Sequence, residues 1–365
     1  MTNRKHILPD FTFPEDPHKA VGSDFASLDA LYQGRIACFG DYHAHSNSGG
    51  TSDGHTTPEE WLAAMPGLHM DFIGLMDHRQ VRHMYLDSFD PDHFLYGSEP
   101  AGLWHEQTLD CHYLMLFQDR GALERVLHRF PDVFEFEGGV EGHFKYIRMA
   151  RERFLQVRDA VLEEGGAFVN AHPKQQIKSD DLEMFNFGDG TALETIYTCK
   201  YDEQLNRHTI ANYRLWVDML AAGYKMVNTA TSDCHDAPKN AGVNTVYVSE
   251  KTGPAYVRQL IAGDLNAGFV GVKMALDGHP VGSTIEWREG MTLEVGVDDV
   301  HPTLFDPAEA YRVDVLTDEG LAYSAPLTLP FRAALQAEKR RFYRVEVLRE
   351  SDGSPAAIGN PIWLV

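Results

Sequence analysis

Two histidines one residue apart, His43 and His45, are followed along the chain by Asp77-His78, Glu99, His172-Pro173 and Asp233-Cys234-His235. Imidazoles and carboxylates are the nitrogen and oxygen donors of divalent transition-metal sites, and hydrolytic sites holding several ions gather such donors from several strand ends at once. One His-x-His or Asp-His pair says little, because a lone histidine on an apolar strand is usually a core residue with its hydrogen bonds satisfied. Five fragments, each at or just after the end of a segment patterned as a strand, point instead to one convergent multi-metal site.

The elements that must position these residues follow from periodicity. Arg35–Gly40 reads as a strand that delivers Asp41 to His45, and Phe72–Met76 as a buried strand ending in Asp77-His78. Between them, Thr57-Pro58-Glu59-Glu60 is a capping box with proline at the first helical position, starting a helix closed by Pro66-Gly67. Ile147, Ala150, Phe154, Val157 and Val161 trace one helical stripe up to Gly165-Gly166, and Ala167–Ala171 is the strand leading to His172. Leu193–Thr198 is a further strand, a helix carries Ile210 to Leu220 and stops at Gly223, and Met226–Ala230 leads into Ser232-Asp233. A short helix with Val257, Leu260 and Ile261 precedes the strand Gly268–Val272. Strands alternating with helices of this size imply a parallel sheet closed into a barrel, with working residues at strand C-termini. The stretches 79–98 and 118–146 read as loops or short helices over its mouth. Residues 1–34, broken by prolines at 9, 14 and 17, read as a segment wrapping the barrel. From 273 to 365 the pattern changes to short alternating runs (Thr292–Val297, Tyr311–Leu316, Phe342–Leu348, Pro361–Val365), separated by turns, as in a small β-sandwich. That tail holds little chemistry and reads as a packing or oligomerisation module.

Composition narrows the partners. The formal net charge of −22 disfavours polynucleotides, whose affinity comes mostly from Lys and Arg, and suits a small-molecule substrate. The cysteines Cys38, Cys111, Cys199 and Cys234 show no CxxC spacing, which excludes a zinc ribbon and leaves reduced, buried thiols as the simplest reading. Met1–Pro14 has no resemblance to a signal peptide, and no apolar run is long enough to span a membrane, so the expected location is the cytoplasm.

From residue 40 to 272 the ordered motifs resemble those of the polymerase and histidinol phosphatase (PHP) family of metal-dependent phosphoesterases. The motifs are HxH (His43, His45), SDG (Ser52-Asp53-Gly54), the Thr57-Pro58-Glu59-Glu60 helix start, DH (Asp77-His78), Gly97-Ser98-Glu99, His112, HP (His172-Pro173) and SDxH (Ser232 to His235). The helix Trp216 to Gly223, the segment Ala262 to Gly271 and the β-rich tail are also similar to the subgroup that includes carbaryl-hydrolase-like carbamate hydrolases. The resemblance implies a distorted (β/α)7 barrel over residues 1–272, followed by the β-sandwich at 273–365, and a trinuclear site. His43, His45, Glu99 and Asp233 would hold one ion, Glu99 would bridge to a second held with His112 and His172, and Asp53, His78 and His235 would hold the third. Three extra residues separate HxH from SDG relative to the usual spacing, Arg79 replaces a small polar residue after DH, and His105 is an alternative to His112.

These donors suit two to three divalent ions of Zn, Mn or Fe and leave a positive centre fitted to an anion. The implied reaction is attack on a small phosphate mono- or diester by a hydroxide bridging the metals, formed as the water pKa falls toward ~7. Asp77 would orient a ligand histidine, and Arg79, Lys174 or Lys200 would bind phosphate. A carboxylic or carbamate ester hydrolase using the same site is the alternative, and a non-catalytic metal scaffold or sensor the alternative of another class. An amidohydrolase would need a carboxylated lysine where Glu99 stands and a lone final Asp in place of Asp233-x-His235. His6, His18, His55, His69 and His93 read as surface or loop residues.

Overall fold

The computed structural model describes residues 5–10, 12–103, 111–134, 147–199 and 203–365; His105 and Lys200 lie outside these. The protein is a mixed α/β molecule with several sheets. Its helices are α1 (Ala26–Tyr32), α2 (Pro58–Leu68), α3 (Arg120–Arg129), α4 (Arg151–Glu163), α5 (Pro173–Gln176), α6 (Arg207–Ala222) and α7 (Gly253–Ala262). The strands that surround the histidine-rich fragments are β1 (Ile36–Ala44), β2 (Phe72–Leu75), β3 (Tyr96–Ser98), β4 (Cys111–Phe117), β5 (Ala167–Asn170), β6 (Ala192–Tyr197), β7 (Val227–Thr231), β8 (Asn244–Val248) and β9 (Leu265–Gly268).

Local sequence explains the element ends. Thr57 accepts the Glu60 N–H, and Glu60 accepts the Thr57 N–H at 2.8 Å, the reciprocal cap expected of that motif. Helix α6 is capped at its start by Asn206 and stops at Gly223, whose φ of 95° is open to glycine at little cost. Helix α4 buries Phe154, Val157, Ala160 and Val161, the stripe that the spacing anticipates.

The strands do not pair as one parallel ring. One arc runs β9-β8-β1-β2, with β8 antiparallel to β1 and to β9 and β2 parallel to β1. A second runs β3-β4-β5-β6-β7, with β4 antiparallel to both neighbours and β5, β6 and β7 parallel. Between the arcs, among the described residues, there are only the isolated bridges Ala44↔Cys234, Ile73↔Phe94 and His78↔Glu99. The expected closed barrel of parallel strands is therefore not formed by these pairings. The backbone at the strand ends is irregular. It enters the left-handed region at Arg79 (φ 58°) and Asp233 (φ 46°), and isolated cross-arc backbone hydrogen bonds form beside them, Arg79 N–H to the Glu99 carbonyl at 2.9 Å and His45 N–H to the Cys234 carbonyl at 2.8 Å.

The C-terminal strands build two layers. Val270–Leu276, Thr292–Val300 and Phe331–Gln336 form an antiparallel sheet. Tyr311–Thr317, Leu321–Pro326, Phe342–Arg349 and Pro355–Gly359 pair in a second sheet, which reaches β9 through Pro355–Gly359. The segment before β1 holds α1 and runs along the tail, with Asp16, His18 and Val21 donating backbone hydrogen bonds to Leu321, Ala322 and Ala334. No helix among the described residues is long and apolar enough to cross a membrane. All four cysteines are buried and unbridged.

Candidate metal centre

The two arcs face one another across a buried space into which the strand ends deliver polar side chains. His43 is the penultimate residue of β1 and His45 follows it; both are fully buried. Gly54 lets the next loop lie against them: a Cβ there would stand 2.5 Å from the His45 carbonyl carbon. Glycine is thus what allows Asp53 to reach His45. Asp77 and His78 follow β2, Glu99 follows β3, His112 lies on β4, His172 follows β5, and Asp233 and His235 follow β7. His172 (φ 29°) and Asp233 (φ 46°) carry left-handed backbone that side chains rarely adopt, a form of strain concentrated at functional sites.

All nine candidate ligands come together. The Nε2 atoms of His43 and His45 are 3.2 Å apart. Around them, Asp233 Oδ1 lies 3.4 Å from His43 and 3.0 Å from His45, and Glu99 Oε2 lies 3.5 Å and 3.3 Å away. The other Glu99 oxygen meets His112 Nδ1 at 2.7 Å and His172 Nε2 at 3.7 Å, while Asp233 Oδ2 is 3.6 Å from His172 Nε2. On the open side Asp53 gathers three imidazoles, His45 at 3.7 Å, His78 at 3.4 Å and His235 at 3.2 Å. His78 is shared, for its Nδ1 lies 2.9 Å from Glu99 Oε2 while its Nε2 faces Asp53. The groupings that can hold an ion reflect this sharing: His43-His45-Glu99, His43-His172-Asp233, His78-Glu99-His112, His45-Asp53-His78 and His45-Asp233-His235.

The donor set fits divalent cations. Buried polar atoms are ordinarily hydrogen-bonded, yet His45 Nδ1, Glu99 Oε2 and His172 Nε2 are buried with no hydrogen bond. Nitrogen and oxygen lone pairs turned on one another at 3–3.5 Å are what a cation between them would reconcile. Electrostatics run the same way. Burial alone would raise the Glu99 and Asp233 carboxyls, but the surrounding imidazoles (His112, His78 and His43 for Glu99; His43, His45 and His172 for Asp233) hold both far below the usual carboxylate range. Burial pushes the His78 imidazole down to about 4, whereas, against their burial, Glu194, Glu99 and Asp233 raise His43 and Asp53 raises His235, so a bound cation would have to displace protons from these two.

Three residues expected to act in the chemistry are engaged elsewhere. Asp77 was expected to orient a ligand histidine. Its carboxylate instead accepts from Ser46 N–H and Oγ (both 2.7 Å), Ser48 Oγ (2.5 Å), Ser52 Oγ (3.0 Å), Gln80 Nε2 (3.1 Å) and the ring of His83 (3.2 Å). It ties down the loop between His45 and Asp53. Arg79 is buried and donates from Nε to the Val133 carbonyl at 2.6 Å. Lys174 donates to the Ser179 carbonyl (2.6 Å) and Asp180 (3.1 Å). His55, read as a loop residue, stands at the rim with its ring centroid 6.4 Å from that of His235.

Three contacting residues escaped the sequence reading. Asp41 accepts from His43 N–H (2.9 Å), Ser232 N–H (3.1 Å), Ser232 Oγ and Asn240 Nδ2 (3.0 Å), binding β1 to the loop that carries Asp233. Burial pushes its carboxyl up to about 7. Glu194 meets His43 Nδ1 at 2.8 Å, and Tyr197 Oη donates to Asp233 Oδ2 at 2.9 Å. Asp41 and Glu194 carried a legible signal, a carboxylate inside an apolar buried strand, which is rare without a partner. Tyr197 carried none.

No protein-family model matches the chain, and no curated protein does. Among solved structures it is similar to the lesion-specific endonuclease PfuEndoQ from Pyrococcus furiosus, with a TM-score of 0.40 and 11% identity over 62% of this chain and 56% of that one. It is also similar to an amidohydrolase from Chromobacterium violaceum with bound sulfate and no metal, with a TM-score of 0.40 and 15% identity over 56% of this chain and 90% of that one. The chain thus spans little more than half the length of the endonuclease. Similarity at this level identifies neither a shared fold nor a shared activity.

Proposed function

We propose that the protein is a metal-dependent hydrolase, a phosphoesterase acting on small phosphate mono- or diesters, with two to three divalent ions of Zn, Mn or Fe. The observation that carries the reading is the buried convergence of six imidazoles and three carboxylates, more donors than one four- to six-coordinate ion can use. The ordered motifs shared with PHP proteins support the same reading, and the fold that accompanies it is a distorted (β/α)7 barrel completed across the two arcs. His43, His45, Glu99 and Asp233 would hold one ion, Glu99, His112 and His172 a second, and Asp53, His78 and His235 a third. His78 lies close enough to Glu99 to serve the second as well. Bound ions would supply hydroxide near neutral pH and positive charge for an anionic ester.

The chain's own residues do the rest. Burial of His43, His45 and Glu99 keeps bulk water from the inner donors, while Asp53 and His235, with side chains 30% and 26% exposed, mark the side from which a substrate would enter. Beside Tyr197 stand His208, whose ring centroid is 5.7 Å from that of Tyr197, and the exposed Arg207, 3.3 Å from His208. Cationic and polar groups near the donor cluster of a chain carrying −22 favour a compact anion over a neutral ester. They also favour small esters over polynucleotides, which would meet the acidic surface along their length.

Elemental analysis of protein purified without chelator, and after remetallation, should give two to three transition-metal ions per chain; a ratio at or below one ends the multinuclear reading. A panel of phosphomonoesters, phosphodiesters, DNA and aryl carbamates should then show the highest kcat/KM on a small phosphoester. Faster turnover of an aryl carbamate would assign the same ions to carbonyl polarisation instead.

A further inference from the structure

Strand β6 contributes none of the nine candidate ligands, yet two of its side chains reach the cluster. Glu194 and Tyr197 are three residues apart, a spacing that puts side chains on opposite faces of a regular strand. Here they share a face. In the pairing of β6 with β7, Glu194 stands opposite Thr229 and Ile196 opposite Ala230, so Thr195 is an extra residue in the strand. The resulting β-bulge turns Leu193 and Ile196 together into the outer apolar core and Glu194 and Tyr197 together toward the histidines. Thr195 Oγ1 holds the bulge by donating to the Thr229 carbonyl at 3.1 Å.

Each of the two grips a different part of the cluster. Glu194 Oε1 accepts a hydrogen bond from His43 Nδ1 at 2.8 Å, and Oε2 accepts one from the backbone N–H of His172 at 2.7 Å. The first contact fixes the His43 tautomer, so that the Nε2 lone pair faces His45, Glu99 and Asp233. The second steadies the left-handed backbone from which the His172 ring projects. Tyr197 Oη holds Asp233 Oδ2, leaving Oδ1 turned toward His43 and His45, and its ring lies 5.2 Å from that of His172.

We infer that Glu194 and Tyr197, placed on one face by the bulge at Thr195, are positioning residues that set the affinity and geometry of the metal centre. The inference rests on the metal-centre reading above and adds to it two residues outside the ligand set. Its test is titration of metal-free protein with Co2+ against a chelating dye, read by competition and by the visible spectrum of the bound ion. Wild-type protein should bind Co2+ at more than one equivalent; no binding by wild type would overturn the metal-centre reading itself, separately from this inference. Glu194→Gln, which keeps the shape but not the charge, should weaken the tightest site by about 10- to 100-fold and shift the spectrum. Tyr197→Phe should weaken it by roughly tenfold with a smaller spectral change. Wild-type affinity and spectrum in Glu194→Gln overturn the inference. If that variant does not fold, Tyr197→Phe, which keeps the ring packed beside His172, decides alone, and wild-type behaviour there overturns it.

Discussion

Two buried clusters of charged and histidine side chains can be set side by side, and they are built on opposite principles. In the C-terminal part, Arg344 and Glu346 lie on the strand Phe342–Arg349, both wholly buried. Glu346 accepts from Arg344 and from Tyr213 Oη of α6, and its second oxygen lies 3.3 Å from His6 Nε2. The Arg344 guanidinium also donates to Tyr213 Oη at 3.2 Å and lies over the Trp216 ring at 5.1 Å. One fixed cation meets one fixed anion, and Arg344 with His6 holds the Glu346 carboxyl down at about 2 against its burial. Between the arcs, among the described residues, the ionisable partners within ion-pair distance of Asp53, Glu99, Asp233 and Glu194 are imidazoles. The first cluster is electrically complete and joins α6 and the N-terminal segment to the tail. The carboxylates of the second are met, among the described residues, by imidazoles that can themselves bind a cation. Burial of charge therefore does not distinguish structure from function here; whether the charge is compensated does.

The sharpest way to break this contrast is to remove one side chain from each cluster. Asp233→Ala and His43→Ala should reduce hydrolysis by roughly a thousandfold or more while the protein stays folded, because they displace ions rather than core packing. Steady-state kinetics with metal content and circular dichroism on the same samples check this, and near wild-type turnover with full metal content would remove either residue from the centre. Arg344→Leu should do the reverse, costing about 3–5 kcal/mol in urea unfolding by leaving Glu346 buried and unpaired, with Co2+ affinity unchanged. If metal binding fell with stability, the two clusters would not be independent.

A smaller effect should appear with pH at the junction of α2 and the tail. His301 donates from Nε2 to the Leu68 carbonyl at 3.1 Å and accepts at Nδ1 from the N–H groups of Thr303 and Leu304, so its neutral form is the one built in. Burial, helped by the neighbouring His69, pushes it down to about 4 from 6.5. With the folded pKa below the unfolded one, its contribution is complete above pH 6.5 and is lost as pH falls from 6.5 toward 4, on the order of 2–3 kcal/mol. His301→Gln should flatten the stability profile across that window in thermal unfolding; an unchanged profile would show that another group is responsible. The smallest effect belongs to His93→Ala. Its half-exposed side chain pairs with Asp90 at 2.9 Å, so activity and Tm should stay within error of wild type. It is a better control than His55, which the fold brings beside His235.

The sequence by itself determined the donors and their places along the chain. Histidine and carboxylate identities are covalent facts, and their position just past apolar runs or at glycine- and proline-marked turns is local information, as are the caps of α2 and α6. Strand pairing is decided by contacts between residues far apart in sequence, and so was not legible. The reversal of β4 and the division of the strands into two arcs joined by isolated bridges follow from connections that periodicity does not encode. Asp41 and Glu194 could have been singled out as charges inside apolar strands, but not their partners, His43 and the Ser232 loop, which lie up to 191 residues away in the chain. The bulge at Thr195 exists only against the register of β7. Tertiary structure alone therefore decided that Tyr197 belongs with Asp233, because a one-residue slip in pairing moves a side chain from one face of a sheet to the other.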